Sequence, residues 1–301
     1  MKISSVQAFG VLGVPDGSYD FGAGQHDAHD HVLITGGAAS GKTRFLELIA
    51  AVREVLAPSD EEGFPEESML RPGNQTARAI VRYVLSEAEQ ATIGALQPTI
   101  QAEVIFNSDA AEAPDAGLVF LLQRYSHEDA TPKLEYFDEH RRLDVGGGDV
   151  DLGESRQERF RSRSSPRKFA FVPGLLAALP SRREQAARFA AGLSALSPSC
   201  RYDLERHALS SHDRVLRSLS ELSASEADAV MFAATAALVG LSNSIVLVDT
   251  PELYGLDPVL AFRGICSLGI GNQVIVATSS APLVAGFHGA VVRLAASGGR
   301  L

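Results

Sequence analysis

Residues 31–56 read HVLITGGAASGKTRFLELIAAVREVL. An apolar run of strand length leads into the eight residues Gly36 to Thr43, and TRFLELIAAVREVL then carries its apolar side chains at helical spacing. Strand, glycine turn and helix in that order, with G-x-x-x-x-G-K-[ST] at the turn, form the pattern of a phosphate-binding loop. A phosphate chain has to be wrapped by backbone N–H groups. Glycines at Gly36 and Gly41 let the chain turn and approach without a Cβ, and Gly37, Ala38, Ala39 and Ser40 supply the backbone between them. The helix that starts near Lys42 points its positive dipole end at the phosphates. Lys42, one of only four lysines in the chain, would reach the β- and γ-phosphates, and Thr43 would offer its hydroxyl to Mg²⁺. The plainer alternative is a glycine turn with a solvated lysine. The expected ligand is ATP or GTP.

Such a loop needs a carboxylate at the end of a neighbouring strand. Residues 244–258, SIVLVDTPELYGLDP, contain four apolar residues ending in Asp249, the expected second holder of Mg²⁺. Upstream, SELSASEADAVMFAATAALVG places Ser223 and Glu226 at the S-x-x-E spacing of a capping box, ahead of an apolar helix that stops at Gly240. That spacing needs no more than a helix start. The same geometry also allows the Ser223 hydroxyl to face the γ-phosphate of a nucleotide held by another subunit.

Taken together, MKISSVQAFGVLG, GGAASGKT, LSASE, VLVDTPELYGLDP and ATSSAP resemble the ABC-type P-loop ATPases, and within them the RecF/SMC-like branch with its stand-alone OLD-type relatives. The resemblance covers both ends of the chain and hardly touches the middle. It implies an α/β fold, with a P-loop ABC-type ATPase domain carrying a β-rich arm and an inserted flexible segment. It implies ATP and Mg²⁺ as cofactors, Ser223 reaching a partner's nucleotide in trans, Asp257 at a dimer seam, and an ATP-sandwich homodimer or a pairing with a related ATPase subunit. The departures fall on the hydrolytic positions. Thr250 stands where the family has Glu, and a threonine hydroxyl cannot take a proton from water near neutral pH. Ser279 stands at the position of the usual His, and Ala224 and Ser225 replace both signature glycines. Glu252 is the surrogate candidate for the missing base, although the family's own D-E-P-E pattern gives it the plainer role of a second acid. The expectation is slow hydrolysis, or binding without useful turnover.

Length and composition agree with one elaborated domain. The chain has 301 residues, 45% hydrophobic and 21% charged, enough to bury a core. A net charge of −10 lowers the expectation of nucleic-acid or anionic-lipid binding over the whole surface. Cys200 and Cys266 are the only cysteines, which excludes a disulfide framework and a clustered zinc motif. With no signal-peptide pattern and no membrane-length apolar run, a cytoplasmic protein without membrane insertion is expected.

The organisation expected is one domain over 1–301, with a core split between 1–56 and 169–301 and an inserted β-rich arm plus basic loop at 57–168. Strands are expected at 3–11, 79–85, 101–106, 118–125 and 134–137 within and ahead of that arm, with later strands at QVIVAT and AVVRLA. Residues 145–168, glycine-rich and then arginine-rich, read as a mobile segment. Arg156, Arg159, Arg161, Arg163, Arg167 and Lys168, with Phe160 between them, suit a nucleic-acid backbone, or else a solvated loop or a strand docking on an acidic partner. His26, His29 and His31 could ligate a transition metal but sit where a polar surface loop is expected. Two other classes stay in view: a non-hydrolysing regulatory ATP-binding subunit of a complex and, against the grain of the β-rich insertion, a transporter subunit. A small-molecule kinase has no use for LSASE.

Overall fold

The computed structural model describes residues 1–24, 26–59, 64–108, 114–145, 151–255 and 257–295. The chain opens with β1 (Lys2–Phe9), three short strands β2 (Gly17–Asp20), β3 (Gly22–Gly24) and β4 (Asp27–Ala28), and β5 (His31–Gly36), which runs into α1 (Lys42–Leu56). Next come β6 (Ala77–Val84), α2 (Glu87–Ile93), β7 (Thr99–Phe106), α3 (Ala116–Gln123) and β8 (Leu134–Phe137). The second half holds α4 (Glu154–Glu158), α5 (Val172–Ala178), α6 (Arg183–Leu196), the small sheet β9 (Cys200–Asp203), β10 (Ala208–Ser211) and β11 (Arg214–Val215), and then α7 (Ala224–Val239). It closes with β12 (Ile245–Asp249), α8 (Pro258–Cys266), β13 (Gln273–Thr278), α9 (Ala281–Ala285) and β14 (Ala290–Leu294).

The central sheet is parallel, in the order β14-β5-β13-β12-β8. A parallel sheet is covered on both faces, which is why IVLVD and QVIVAT read as unbroken apolar runs and are buried at every position. Alternate residues feed two cores. Val32, Ile34, Ile245, Leu247 and Ile275 join α1 and an antiparallel sheet ordered β2-β1-β6-β7. Leu33, Val246, Val248, Val274 and Val276 join α5, α6 and α7. Truncating Leu247, which is fully buried, to alanine should cost about 2–5 kcal/mol.

Three readings of the sequence change. Residues 118–125 form no strand: α3 covers 118–123, with Asp115 accepting from the Leu118 N–H at 3.0 Å. A short apolar run such as LVFLLQ has no period to separate strand from buried helix, and the Asp cap decides. The strand 134–137 belongs to the parallel sheet, not to an arm, pairing Phe137 with Val248. Likewise β6 and β7 extend the sheet begun by β1, so the middle of the chain is woven into both sheets.

The third change concerns the basic segment. Residues 146–150 lie outside the described ones, but 151–168 is folded onto two buried carboxylates. Glu135 of β8 pairs with Arg161 at 3.2 Å and with Lys168 at 2.9 Å, all of them buried. Glu54 of α1 accepts from Arg163 Nε at 2.8 Å and from the Ser162 hydroxyl. The absence of an apolar period misled here, because ion pairs replace apolar packing. Among the described residues no helix is long and apolar enough to cross a membrane.

Candidate nucleotide site

The loop from Gly36 to Gly41 joins β5 to α1, and its glycines answer to contacts. Gly41 has φ +92°, and a Cβ there would be driven into the carbonyl oxygen of Gly13. At Gly36 a Cβ would meet the Leu294 carbonyl and the Ser40 hydroxyl. Helices α2, α3, α7, α8 and α9 each begin on a capping Ser or Asp, whereas α1 begins on Gly41 with no side-chain cap, as α4, α5 and α6 also begin without one. The first amides of α1 are thus left for a ligand. Lys42 lies across the mouth of the loop, donating to the carbonyls of Gly36 at 3.1 Å and Gly37 at 2.9 Å. A phosphate would draw it off those neutral acceptors.

One strand, β13, separates β5 from β12, and the register sets Asp249 beside Ala277 and Thr278 beside Thr35. Asp249 is buried, and burial raises its pKa against the opposing hydroxyls of Thr43 and Thr250. Its Oδ1 accepts from Thr250 Oγ1 at 3.0 Å, while its buried Oδ2 has no hydrogen-bond partner. A buried carboxylate with one oxygen left without a hydrogen-bond partner, near enough to the Thr43 hydroxyl at the start of the P-loop helix for that hydroxyl to lower its pKa, is the donor set of a hard divalent cation, so these residues fit Mg²⁺.

Thr250 adopts φ +47°, the left-handed region, which a β-branched residue enters only under constraint. Its hydroxyl is turned back onto Asp249 and supplies no base. Glu252 does reach the sheet end. Its Oε1 accepts from Thr278 Oγ1 at 2.6 Å, at the tip of the strand between the P-loop strand and the Asp249 strand, and its Oε2 is buried without a partner. Ser279 is exposed, and its neighbour Ser280 caps α9.

The remaining sequence candidates make local contacts of their own. Ser223 is exposed and forms a full capping box, donating to Glu226 Oε2 at 2.7 Å while the Glu226 N–H donates back at 3.3 Å. Asp257 caps α8 through the N–H groups of Val259 and Leu260. The histidines do not converge: the His31 ring packs edge-on to Phe262 at 5.4 Å, and no three His, Cys, Asp or Glu residues among the described ones gather around a metal position.

Sequence reasoning missed Arg141 and Asp228. Arg141 is fully buried and holds Asp228 through Nε to Oδ1 at 2.6 Å and Nη2 to Oδ2 at 3.1 Å. A lone Asp inside ASEADAVMFAATAALV was the available signal, since an acid on a helix that apolar calls for a buried cation.

No family model and no curated protein matches the chain. Solved structures do. An SMC head bound to the C-winged helix domain of ScpA superposes with a TM-score of 0.58 at 12% identity, covering 95% of this chain and 91% of that one. The SMC head domain from Thermotoga maritima gives 0.47 at 14% identity over 93% and 90%. The recombination mediator RecF with ATP gives 0.46 at 8% identity over 97% and 95%. Identities this low speak for the fold alone, and the fold is the one shared with the SMC head.

Proposed function

We propose that this chain binds ATP with Mg²⁺ at the Gly36–Thr43 loop and Asp249, and that it works as an ATP-gated dimerising switch with slow hydrolysis. The observation that carries the reading is the orphaned, buried Oδ2 of Asp249 beside Thr43, at the foot of an uncapped helix behind a P-loop. A cation there would neutralise phosphate charge and offset the burial of Asp249. The chain's own residues do the rest. The loop amides and Lys42 bind the phosphates, and Thr43 and Asp249 hold the metal. Ser223 and Ala224, exposed at the start of α7, offer a helix end to a partner's nucleotide, with Asp257 near the same seam. The partner is a second copy or a related ATPase subunit. The SMC head with its bound ScpA domain supports the idea of a further protein partner. Nucleic acid would meet only the outward members of the basic segment, such as Arg156 and Arg167.

Turnover depends on Glu252. With Thr250 unable to accept a proton, Glu252 Oε2 is the free acceptor at the sheet end, two residues from the usual position. Loss of a well-placed base commonly costs 10²- to 10⁴-fold, so slow hydrolysis is expected. The strained, base-free Thr250 also favours a second reading, a regulatory subunit for which ATP is a structural ligand. Nucleotide binding and turnover of the wild type, Lys42→Ala and Glu252→Gln test both. Binding lost in Lys42→Ala and slow turnover lost in Glu252→Gln support the switch. Turnover absent in the wild type with binding intact favours the regulatory subunit, and no binding at all sinks both.

A further inference from the structure

Resting on the ATP–Mg²⁺ reading above, we propose that Arg141 is a positioning residue that sets the Asp249–Thr250 turn from α7, so that contact at the exposed start of that helix alters Mg²⁺ binding. All five N–H donors of its guanidinium are used. Nε and Nη2 grip Asp228; Nη1 donates to the carbonyls of Asp138 at 2.9 Å and Asp249 at 2.7 Å; Nη2 also donates to the Thr250 carbonyl at 3.0 Å. The group lies 5.3 Å from the Phe232 ring centroid and 5.7 Å from that of Tyr254, and the Tyr254 hydroxyl donates back to the Arg141 carbonyl at 2.7 Å. Four pieces of chain thus meet at one buried cation: the residues after β8, helix α7, the end of β12 and the turn at 250–254.

The Asp249 and Thr250 carbonyls are what this cation reaches at the metal site. Thr250 is held in its left-handed conformation from both sides, by its N–H on the Ala277 carbonyl at 2.8 Å and by its own carbonyl on Arg141. Such strain persists only where surroundings over-determine it. Removing one partner from a buried charge leaves the other uncompensated, so the clamp holds its segments together as a unit. Asp228 sits five residues from the exposed Ser223, little more than one helical turn. A partner that shifts this end of α7 shifts Asp228, and with it the donors that aim the two carbonyls. By reciprocity, a cation at Asp249 biases α7 toward its partner-ready position.

The test uses the full chain, with a fluorescent ATP analogue. Three quantities are measured: the Mg²⁺ concentration at half-saturation, the analogue's affinity in EDTA, and amide exchange over 249–254 without ligand. Asp228→Asn keeps the shape and removes the charge. A rise of about tenfold in the Mg²⁺ half-point is expected, with affinity in EDTA unchanged and exchange at 249–254 faster. A purely structural role would weaken binding in EDTA as well, and that result overturns the proposal. Tyr254→Phe, which removes only the hydroxyl on the Arg141 carbonyl, should act in the same direction by about two- to threefold. It decides the matter if Asp228→Asn does not fold. An unchanged Mg²⁺ half-point and unchanged exchange in the folded variant also overturn the clamp. If the wild type does not bind the analogue, the ATP reading fails, and the exchange comparison still judges the clamp.

Discussion

The two sides of the proposed nucleotide site differ in kind. On the P-loop side every position keeps the residue type that phosphate binding needs, and the fold enforces it: Gly41 is pressed against Gly13 and α1 starts without a cap. On the side of the 249–254 turn, Asp249 is kept while Thr250 sits strained with its hydroxyl turned inward, and Glu252 reaches the sheet end from an unusual position. The contrast teaches that the positions expected to bind phosphate and those expected to activate water are built by separate parts of the chain, and that only the second set departs from its pattern.

The largest effect that would break this contrast is on the P-loop side. Lys42→Ala should weaken ATP binding by at least about 100-fold, equivalent to roughly 2.8 kcal/mol, and Gly41→Val should do the same because its Cβ has no room; equilibrium binding checks both. On the opposite side, Asp249→Asn should remove the Mg²⁺ dependence of binding. It should also raise the melting temperature of the ligand-free protein by about 2–4 °C, since a buried, partly unsatisfied carboxylate costs about 1 kcal/mol or more. Calorimetry with and without Mg²⁺–ATP separates the two effects. Glu252→Gln should lower whatever turnover exists by roughly 10- to 100-fold with ATP affinity little changed, a split read from kcat and KM.

The smallest effect lies outside the site and serves as a control on global stability. Burial lowers the pKa of His127 to about 4 from an ordinary 6.5. The unfolded chain therefore binds more protons than the folded one between those values. The stability contributed by the neutral ring is full above about 6.5 and is lost as pH falls toward 4. In His127→Gln this slope should flatten by an amount of order 1 kcal/mol after solvent screening, while ATP binding at neutral pH stays as in the wild type. Urea titrations across that window measure it.

Much of this was legible in the sequence. The P-loop, Asp249, the capping box at Ser223 and the parallel strands all announce themselves, because each depends on local spacing or on a run of apolar residues. What could not be read depends on partners far away in the chain. The arginines of 156–168 look mobile until Glu54 and Glu135 are seen to hold three of the basic side chains in that stretch. The role of Arg141 requires Asp228, 87 residues later, and the carbonyls at 249 and 250. Helix α3 reads as a strand because its apolar residues have no period, and the tight fit of Gly41 is visible only once Gly13 lies against it.

The most direct test of an intact binding half that drives association is the mass of the protein in solution, by light scattering, with ATP and Mg²⁺ and without them, for the wild type and Lys42→Ala. A shift from monomer to dimer mass on adding Mg²⁺–ATP, absent in Lys42→Ala and persisting for many minutes because hydrolysis is slow, is expected. A wild-type mass that ignores Mg²⁺–ATP, or an identical shift in Lys42→Ala, would contradict the ATP-gated switch.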